Sequence, residues 1–161
     1  MTKFKKRFDD VAGKICEAIL PIKYEYYVGR GKELAICTLS SIDLLKEISE
    51  SKAIMDRIAI AGRLLSENKG IDAIVRFTME HPELKRIILC GKEVKGHSPG
   101  QALLALAENG VTKEGRIIGA LGPYPILKSP AKDIDTFRKQ VEIINMVGIS
   151  DVSSLRSACL G

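Results

Sequence analysis

RIILCGKEVKGHSPGQALLALAENG, residues 86–110, decides the fold. RIILC at 86–90 is a continuous apolar run, the pattern of a strand covered on both faces. GKEVKGHSPG at 91–100 is a glycine-rich loop. QALLALAEN at 101–109 turns Leu103, Leu106 and Ala107 to one helical side, and Gly110 stands where a helix-ending glycine belongs. The same order follows in RIIGAL at 116–121, the loop GPYPILKSP at 122–130, and a helix bearing Ile134, Phe137 and Val141. Parallel neighbours need a crossover, and right-handed crossovers dominate, so two successive strand-loop-helix units predict a mostly parallel sheet. The expected class is α/β: a doubly wound, Rossmann-like sheet with helices on both faces.

Outward from that block, LAICTL at 34–39 reads as a strand. SSIDLLKEIS at 40–49 reads as a helix with Ser at its N-cap and Leu44, Leu45 and Ile48 inward. Residues 24–31 read as a loop, and 51–65 have no clear period. SENKG at 66–70 is turn-like, and Ile71, Ile74, Val75 and Thr78 make a helix that stops before His81 and Pro82. At the amino end, Phe4, Phe8, Val11, Ile15 and Ile19 fall on one helical face, which Pro21 terminates. The last twenty residues read as an edge strand and a short helix.

With 161 residues the chain fits one domain, 1–161. Hydrophobic residues at 45% and charged ones at 28% are globular, whereas 5% aromatics without Trp weigh against an aromatic-rich binding sheet. The net charge of +5 is partly terminal, at Lys3, Lys5, Lys6 and Arg7, and the remaining bases are scattered among acids. That distribution argues against nucleic acid as a partner. Cys16, Cys37, Cys90 and Cys159 lack disulfide-framework or zinc spacing and read as reduced thiols. No secretory signal is present, and no apolar run nears the roughly 18 residues of a membrane span. A cytoplasmic chain without membrane insertion is expected.

Ligands of parallel sheets bind beyond the carboxyl ends of the strands, where both glycine-rich loops lie. The first carries His97, bracketed by Gly96 and by Pro99 and Gly100. A surface-loop histidine is the commoner reading of such a residue, and a metal ligand the sharper one. His81 reads as a helix-end cap, and Cys90 as a packing thiol. Glu67 and Asn68 either form a turn or reach the ligand edge. Gly119, Gly122 and Pro123 either shape a tight loop or admit a ligand close to the backbone. A nucleotide- or phosphate-binding α/β module is a second function class, although neither G-x-G-x-x-G nor G-x-x-x-x-G-K-[ST] occurs.

His97-Ser98-Pro99-Gly100 resembles the H-x-x-G half of the D-x-H-x-x-G motif of cobalamin-binding domains, whose imidazole binds cobalt from below. Lys95 stands where that motif has its aspartate, and no later Gly-Gly follows. A ligating imidazole needs an acceptor at its other nitrogen, and Glu93 or a backbone carbonyl are the nearby candidates.

Residues 87–110 also resemble the central block of the A subunit of tetrahydromethanopterin S-methyltransferase, a corrinoid protein family of methanogenic archaea. LAICTLSS at 34–41, IAIAGRLLSENKGID at 58–72, IIGALGPYP at 117–125 and FRKQVEIINMV at 137–147 are similar to further blocks in the same order. The resemblance implies a doubly wound α/β domain holding cobalamin or a related cobamide, with His97 as lower axial ligand of its cobalt. It implies that cobalt(I) accepts a methyl group from methyl-tetrahydromethanopterin and passes it to a thiol such as coenzyme M. The cofactor set is then expected at His97, Gly91, Glu93, Val94, Gly96, Ser98 and Gly100, with Gly119, Ala120, Leu121, Gly122 and Pro123 of the second loop and Glu67 and Asn68 of the turn. No residue is expected to act as a general acid or base. Separate methyl-donating and methyl-accepting proteins are the expected partners, since such a carrier does not turn over alone. A non-catalytic regulatory homologue is the third class, against which the retained His97 argues. Two loops depart from the family pattern: Gly29-Arg30-Gly31-Lys32-Glu33 replaces Gly-Asp-Pro-Glu-Ser, and Asn68-Lys69-Gly70 replaces Asn-Leu-Gly. The family's membrane anchor has no counterpart up to Gly161.

Overall fold

The computed structural model describes residues 26–161. The stripe from Phe4 to Ile19, its stop at Pro21, the basic residues 3–7 and Cys16 lie outside the described residues. Among those described, the strands are β1 Tyr26–Val28, β2 Leu34–Cys37, β3 Ile60–Gly62, β4 Arg86–Gly91 and β5 Glu142–Val147. The helices are α1 Ile42–Glu50, α2 Lys52–Met55, α3 Lys69–Glu80, α4 Pro99–Asn109, α5 Ala131–Gln140 and α6 Val152–Leu160. The sheet order is β1-β3-β2-β4-β5. Only β1 runs antiparallel, against β3, and the other three pairings are parallel.

Strands β2 and β4 feed two cores because successive side chains leave a strand on opposite faces. Ala35, Ile87 and Leu89 pack with Ile71 and Val75 of α3, Leu103 and Leu106 of α4, and Ile134 and Phe137 of α5. Leu34, Ile36, Ile88 and Cys90 pack on the other side with Leu44, Leu45 and Ile48 of α1 and Leu155 of α6. The expected doubly wound, mostly parallel architecture is therefore present, and the unbroken apolar run of RIILC has this double burial as its cause.

The winding reverses between β2 and β4, since β2 is followed by β3 on one side and β4 by β5 on the other. Such a reversal opens a crevice at the carboxyl ends of the two strands. Here it is stitched shut. Ser40 donates from its N–H (3.0 Å) and its hydroxyl (2.6 Å) to the carbonyl of Lys92, and Lys92 N–H donates to Ser41 Oγ at 2.9 Å. Arg63 braces the same turn, donating to the carbonyls of Leu39 and Ser40 at 3.3 and 3.2 Å. Gly91 permits this approach, because at φ +78° a Cβ there would lie 2.3 Å from the Thr38 carbonyl oxygen.

The structure corrects two sequence expectations and assigns a stretch that the sequence left open. RIIGAL at 116–121 is not a strand: Ile117 N–H donates to Pro125 O and Ile118 N–H to Gly110 O, leaving only the isolated bridges Val111 to Ile117 and Arg116 to Ile126. The free edge of β4 is taken by β5 along its whole length, and Gly119 at φ +85° turns the chain away. Residues 24–31 contain β1, whose three residues are too few to show a period. The ambiguous stretch 51–65 holds α2 and β3, again short pieces. A smaller difference concerns Ser41, which sits at the N-cap of α1 but makes no side-chain cap bond, its hydroxyl being committed to Lys92.

Gly91→Ala should lower stability by about 2–3 kcal/mol, from left-handed strain plus the backbone collision. Urea denaturation measures it, and a change below about 0.5 kcal/mol would show that the seam tolerates a side chain.

Candidate functional site

The loop between β4 and α4 is shaped by a carboxylate that caps the helix from inside the loop. Glu93 Oε1 accepts from the N–H groups of Val94 (2.9 Å) and Gly100 (3.1 Å), and Oε2 from Gln101 N–H at 2.9 Å. The Gly100 and Gln101 amides are at the positive end of α4, the place where an anion is favoured. Ser98, the N-cap residue, makes no side-chain cap and is left-handed at φ 47°, ψ 49°. Its N–H returns to Val94 O at 2.9 Å, so residues 94–98 form a tight turn that thrusts His97 outward. Gly96 at φ +82° has nothing within 4 Å of where a Cβ would stand. A Cβ on Gly100, in contrast, would lie 2.8 Å from Glu93 Oε2.

His97 is held by Glu67. Its Nδ1 lies 3.0 Å from Glu67 Oε2 and 3.4 Å from Oε1, while Oε1 also accepts the Tyr124 N–H at 3.1 Å. Glu67 is buried, with 1% of its surface exposed, whereas the His97 side chain is 55% exposed. Burial alone would raise the Glu67 carboxyl. Hydrogen bonds from its own N–H, from Tyr124 N–H and from His97, with the attraction of the imidazole, outweigh this and hold it below the usual carboxylate range. An ionised carboxylate only accepts, so the hydrogen of the contact sits on Nδ1, and in the neutral ring the lone pair is on Nε2.

The loop 116–130 closes the other side. Gly122 packs so tightly that a Cβ there would be 2.4 Å from the His97 carbonyl oxygen and 3.0 Å from Glu67 Cγ. Asn68 donates to Tyr124 O at 3.1 Å. Gln101 brackets the preceding residues, donating to Gly119 O at 2.8 Å and accepting from Leu121 N–H at 2.9 Å. Asp72 accepts from the N–H groups of Lys128 and Ser129 and from the Ser129 hydroxyl. Held this way, Leu121 and Tyr124, on either side of Gly122, leave 80% and 68% of their surface exposed.

The expected site residues thus gather at one sheet edge, drawn from the turn before α3, the loop after β4 and the loop after α4. Glu67, His97 and Gly122 touch. Gly91 and Glu93 are there in structural roles, in the seam and the helix cap, and the partner of the second imidazole nitrogen is Glu67 rather than Glu93. Gln101, Asp72 and Tyr124 were not singled out from sequence. The first two look like ordinary polar positions of amphipathic helices, and the third acts through its backbone, so nothing in the residue pattern marks them. His81, the other histidine, caps α3 as expected, with Nδ1 2.8 Å from Phe77 O and its ring stacked on Phe77 at 3.8 Å. Burial pushes the Cys37 and Cys90 thiols up to about 12, which fits packing and not nucleophilic chemistry. Among the described residues no disulfide forms at Cys37, Cys90 or Cys159, and no helix is long and apolar enough to cross a membrane.

Comparison with known proteins gives the same family as the sequence blocks. Residues 15–159 match the model of the MtrA family, the A subunit of tetrahydromethanopterin S-methyltransferase. The A 2 subunit of tetrahydromethanopterin S-methyltransferase from Methanothermobacter marburgensis is 38% identical over 135 residues, covering 82% of this chain and 70% of that protein. The A subunit of the same methyltransferase from Methanocaldococcus jannaschii is 37% identical over 137 residues, 83% of this chain and 55% of its own. The A subunit of the putative methyltransferase Mtx from Methanosarcina barkeri is 31% identical over 145 residues, 88% of this chain and 68% of its own.

The lowered carboxyl of Glu67 has a signed consequence. Its stabilising contribution is fully present above the unfolded value of about 4.3 and is lost as pH falls through the lower folded value. Glu67→Gln should therefore flatten the acid limb of a stability-against-pH curve below about pH 4. An unchanged limb in urea melts across that window would contradict the assignment.

Proposed function

The chain belongs to the family of the tetrahydromethanopterin S-methyltransferase A subunit, and from that premise we propose that it binds cobalamin or a related cobamide through His97 as the corrinoid-carrying component of a methyltransferase. The observation that carries the reading is the pairing of a buried carboxylate with Nδ1 of a half-exposed imidazole. A metal-ligating histidine characteristically gives its other ring N–H to a carboxylate, which fixes tautomer and orientation and raises ligand basicity. His97 has that arrangement before any metal is considered. His97 would supply one nitrogen donor to a cobalt already held by its own macrocycle.

The surroundings fit a flat, bulky cofactor. Gly96, with nothing within 4 Å of where a Cβ would stand, leaves the backbone of the loop after β4 accessible, and Leu121 and Tyr124, on either side of Gly122, offer exposed apolar surface. When bound, the cobamide supplies a cobalt centre that takes a methyl group from a donor such as methyl-tetrahydromethanopterin and yields it to a thiol. This chain's own residues do the rest. His97 would hold the cobalt through Nε2, Glu67 would keep the Nδ1 hydrogen and the ring plane in place, and the loops 91–100 and 116–130 would limit access of water. This reading calls on no side chain to move a proton to or from a substrate. Methyl-donating and methyl-accepting proteins dock on the open face, and the chain works in the cytoplasm.

Reconstitution with cobinamide, which lacks the benzimidazole of cobalamin, tests the reading. The wild-type chain should retain the corrinoid and, with cobalt reduced to the +2 state, show the electron-paramagnetic splitting of one axial nitrogen. His97→Ala should lose that splitting, and Glu67→Gln should keep it while weakening retention by about 10–100-fold. Failure of the wild-type chain to retain any corrinoid, or a nitrogen signal persisting in His97→Ala, would overturn the assignment.

A further inference from the structure

The segment 118–121 is displaced from the edge of β4 by β5, and its backbone finds partners on a helix instead. Gln101, Ala105 and Asn109 recur at every fourth position of α4 and so share one of its faces. Along that face Asn109 donates to the Ile118 carbonyl at 3.1 Å, and Gln101 donates to the Gly119 carbonyl at 2.8 Å while accepting from Leu121 N–H at 2.9 Å. Gly119 lies so close that a Cβ there would stand 3.1 Å from Asn109 Nδ2 and 4.0 Å from the Ala105 Cβ. Ile118 N–H donates to Gly110 O at 3.0 Å, just past the end of α4.

The two ends of this rail differ. Asn109 is the last residue of α4, whereas Gln101 lies in the first turn, where its own N–H donates to Glu93 Oε2 at 2.9 Å. One residue therefore joins the loop that carries His97 to the segment that ends at Leu121, and Gly122, next in the chain, packs against the His97 carbonyl. A carboxamide suits this task because it offers a donor and an acceptor at once, to the C=O and the N–H of another stretch of backbone. On the backbone fixed in this way, Ile118, Leu121, Tyr124 and Ile126 are all exposed. Apolar surface on an ordered backbone loses little freedom when a ligand covers it. We propose that Gln101 is a positioning residue, holding 118–121 as a preformed ledge for the corrinoid, an inference that rests on the reading of His97 given above.

Hydrogen exchange of the full-length chain without corrinoid, read residue by residue by NMR, tests the ledge first. Gln101→Ala, and Gln101→Met, which keeps the length of the side chain without its carboxamide, should each speed exchange of the Leu121 amide about tenfold, the worth of one hydrogen bond. Amides of β4 should be unchanged. Cobinamide retention should then fall about tenfold in both variants, with the axial-nitrogen splitting from His97 kept in whatever remains bound. Unchanged exchange at Leu121 in either variant, or faster exchange shared equally by β4, would overturn the role of Gln101. Faster exchange at Leu121 with cobinamide retained as in the wild type would overturn the ledge as a corrinoid seat. A wild-type chain that retains no corrinoid, while Leu121 responds as expected, would overturn the corrinoid reading and with it the ligand assigned to the ledge.

Discussion

A carboxylate removed from water must find donors, and a charge left short of them inside a protein costs several kcal/mol. Glu67 meets that demand with groups from separate parts of the chain: its own turn before α3, the imidazole of His97 in the loop after β4, and the amide of Tyr124 in the loop after α4. The three segments are therefore tied to one another through a single buried side chain. Tyr124 cannot move without reducing the donors of Glu67, and Glu67 cannot turn without releasing His97. The close packing of Gly122 against both the His97 carbonyl and the Glu67 stem removes the space in which they could adjust separately.

The position of this cluster follows from the sheet. Reversal of winding between β2 and β4 brings loop ends together, but the crevice itself is filled by the seam of Ser40, Ser41 and Lys92, with Arg63 across its back. One consequence is visible beneath it. Thr38 Oγ1 is buried with no hydrogen-bond partner among the described residues, a cost accepted where β2 ends against Gly91. With the crevice shut, the accessible surface lies one loop further along. Glu93 makes that surface rigid, because by capping α4 from within it converts a glycine-rich connection into a turn with one outward side chain.

Much of this architecture was legible from residue pattern. The unbroken run of RIILC and the stripes of α1, α3 and α4 name the strands, the helices and their buried faces, and His97 stands out as the one unusual side chain on a strand-end loop. What escaped is short or nonlocal. Three-residue strands such as β1 and β3 carry no period, and the β-compatible run RIIGAL is outcompeted for the edge of β4 by β5, a contest decided in space. Glu67 was readable as a turn residue near the edge, yet its pairing with a histidine thirty positions later has no local signature. Glu93, closer in sequence and of the same chemistry, is the candidate that the sequence offers, beside a backbone carbonyl, but its oxygens are occupied by the amides of Val94, Gly100 and Gln101.

That displacement from a local to a distant orienting carboxylate changes what the imidazole responds to. An aspartate two residues before a histidine shares its loop and moves with it. Here Lys95 holds that place, and the orienting group is anchored beside α3, so a shift of the loop 91–100 relative to α3 stretches the Nδ1 contact instead of carrying it along. The shared carboxylate also receives Tyr124, whose side chain stands exposed next to Leu121. Through that one buried carboxylate the Tyr124 amide and the His97 imidazole share their acceptor, so a displacement of either changes the hydrogen bonding of the other. That exchange runs between two loops and needs no movement of the sheet.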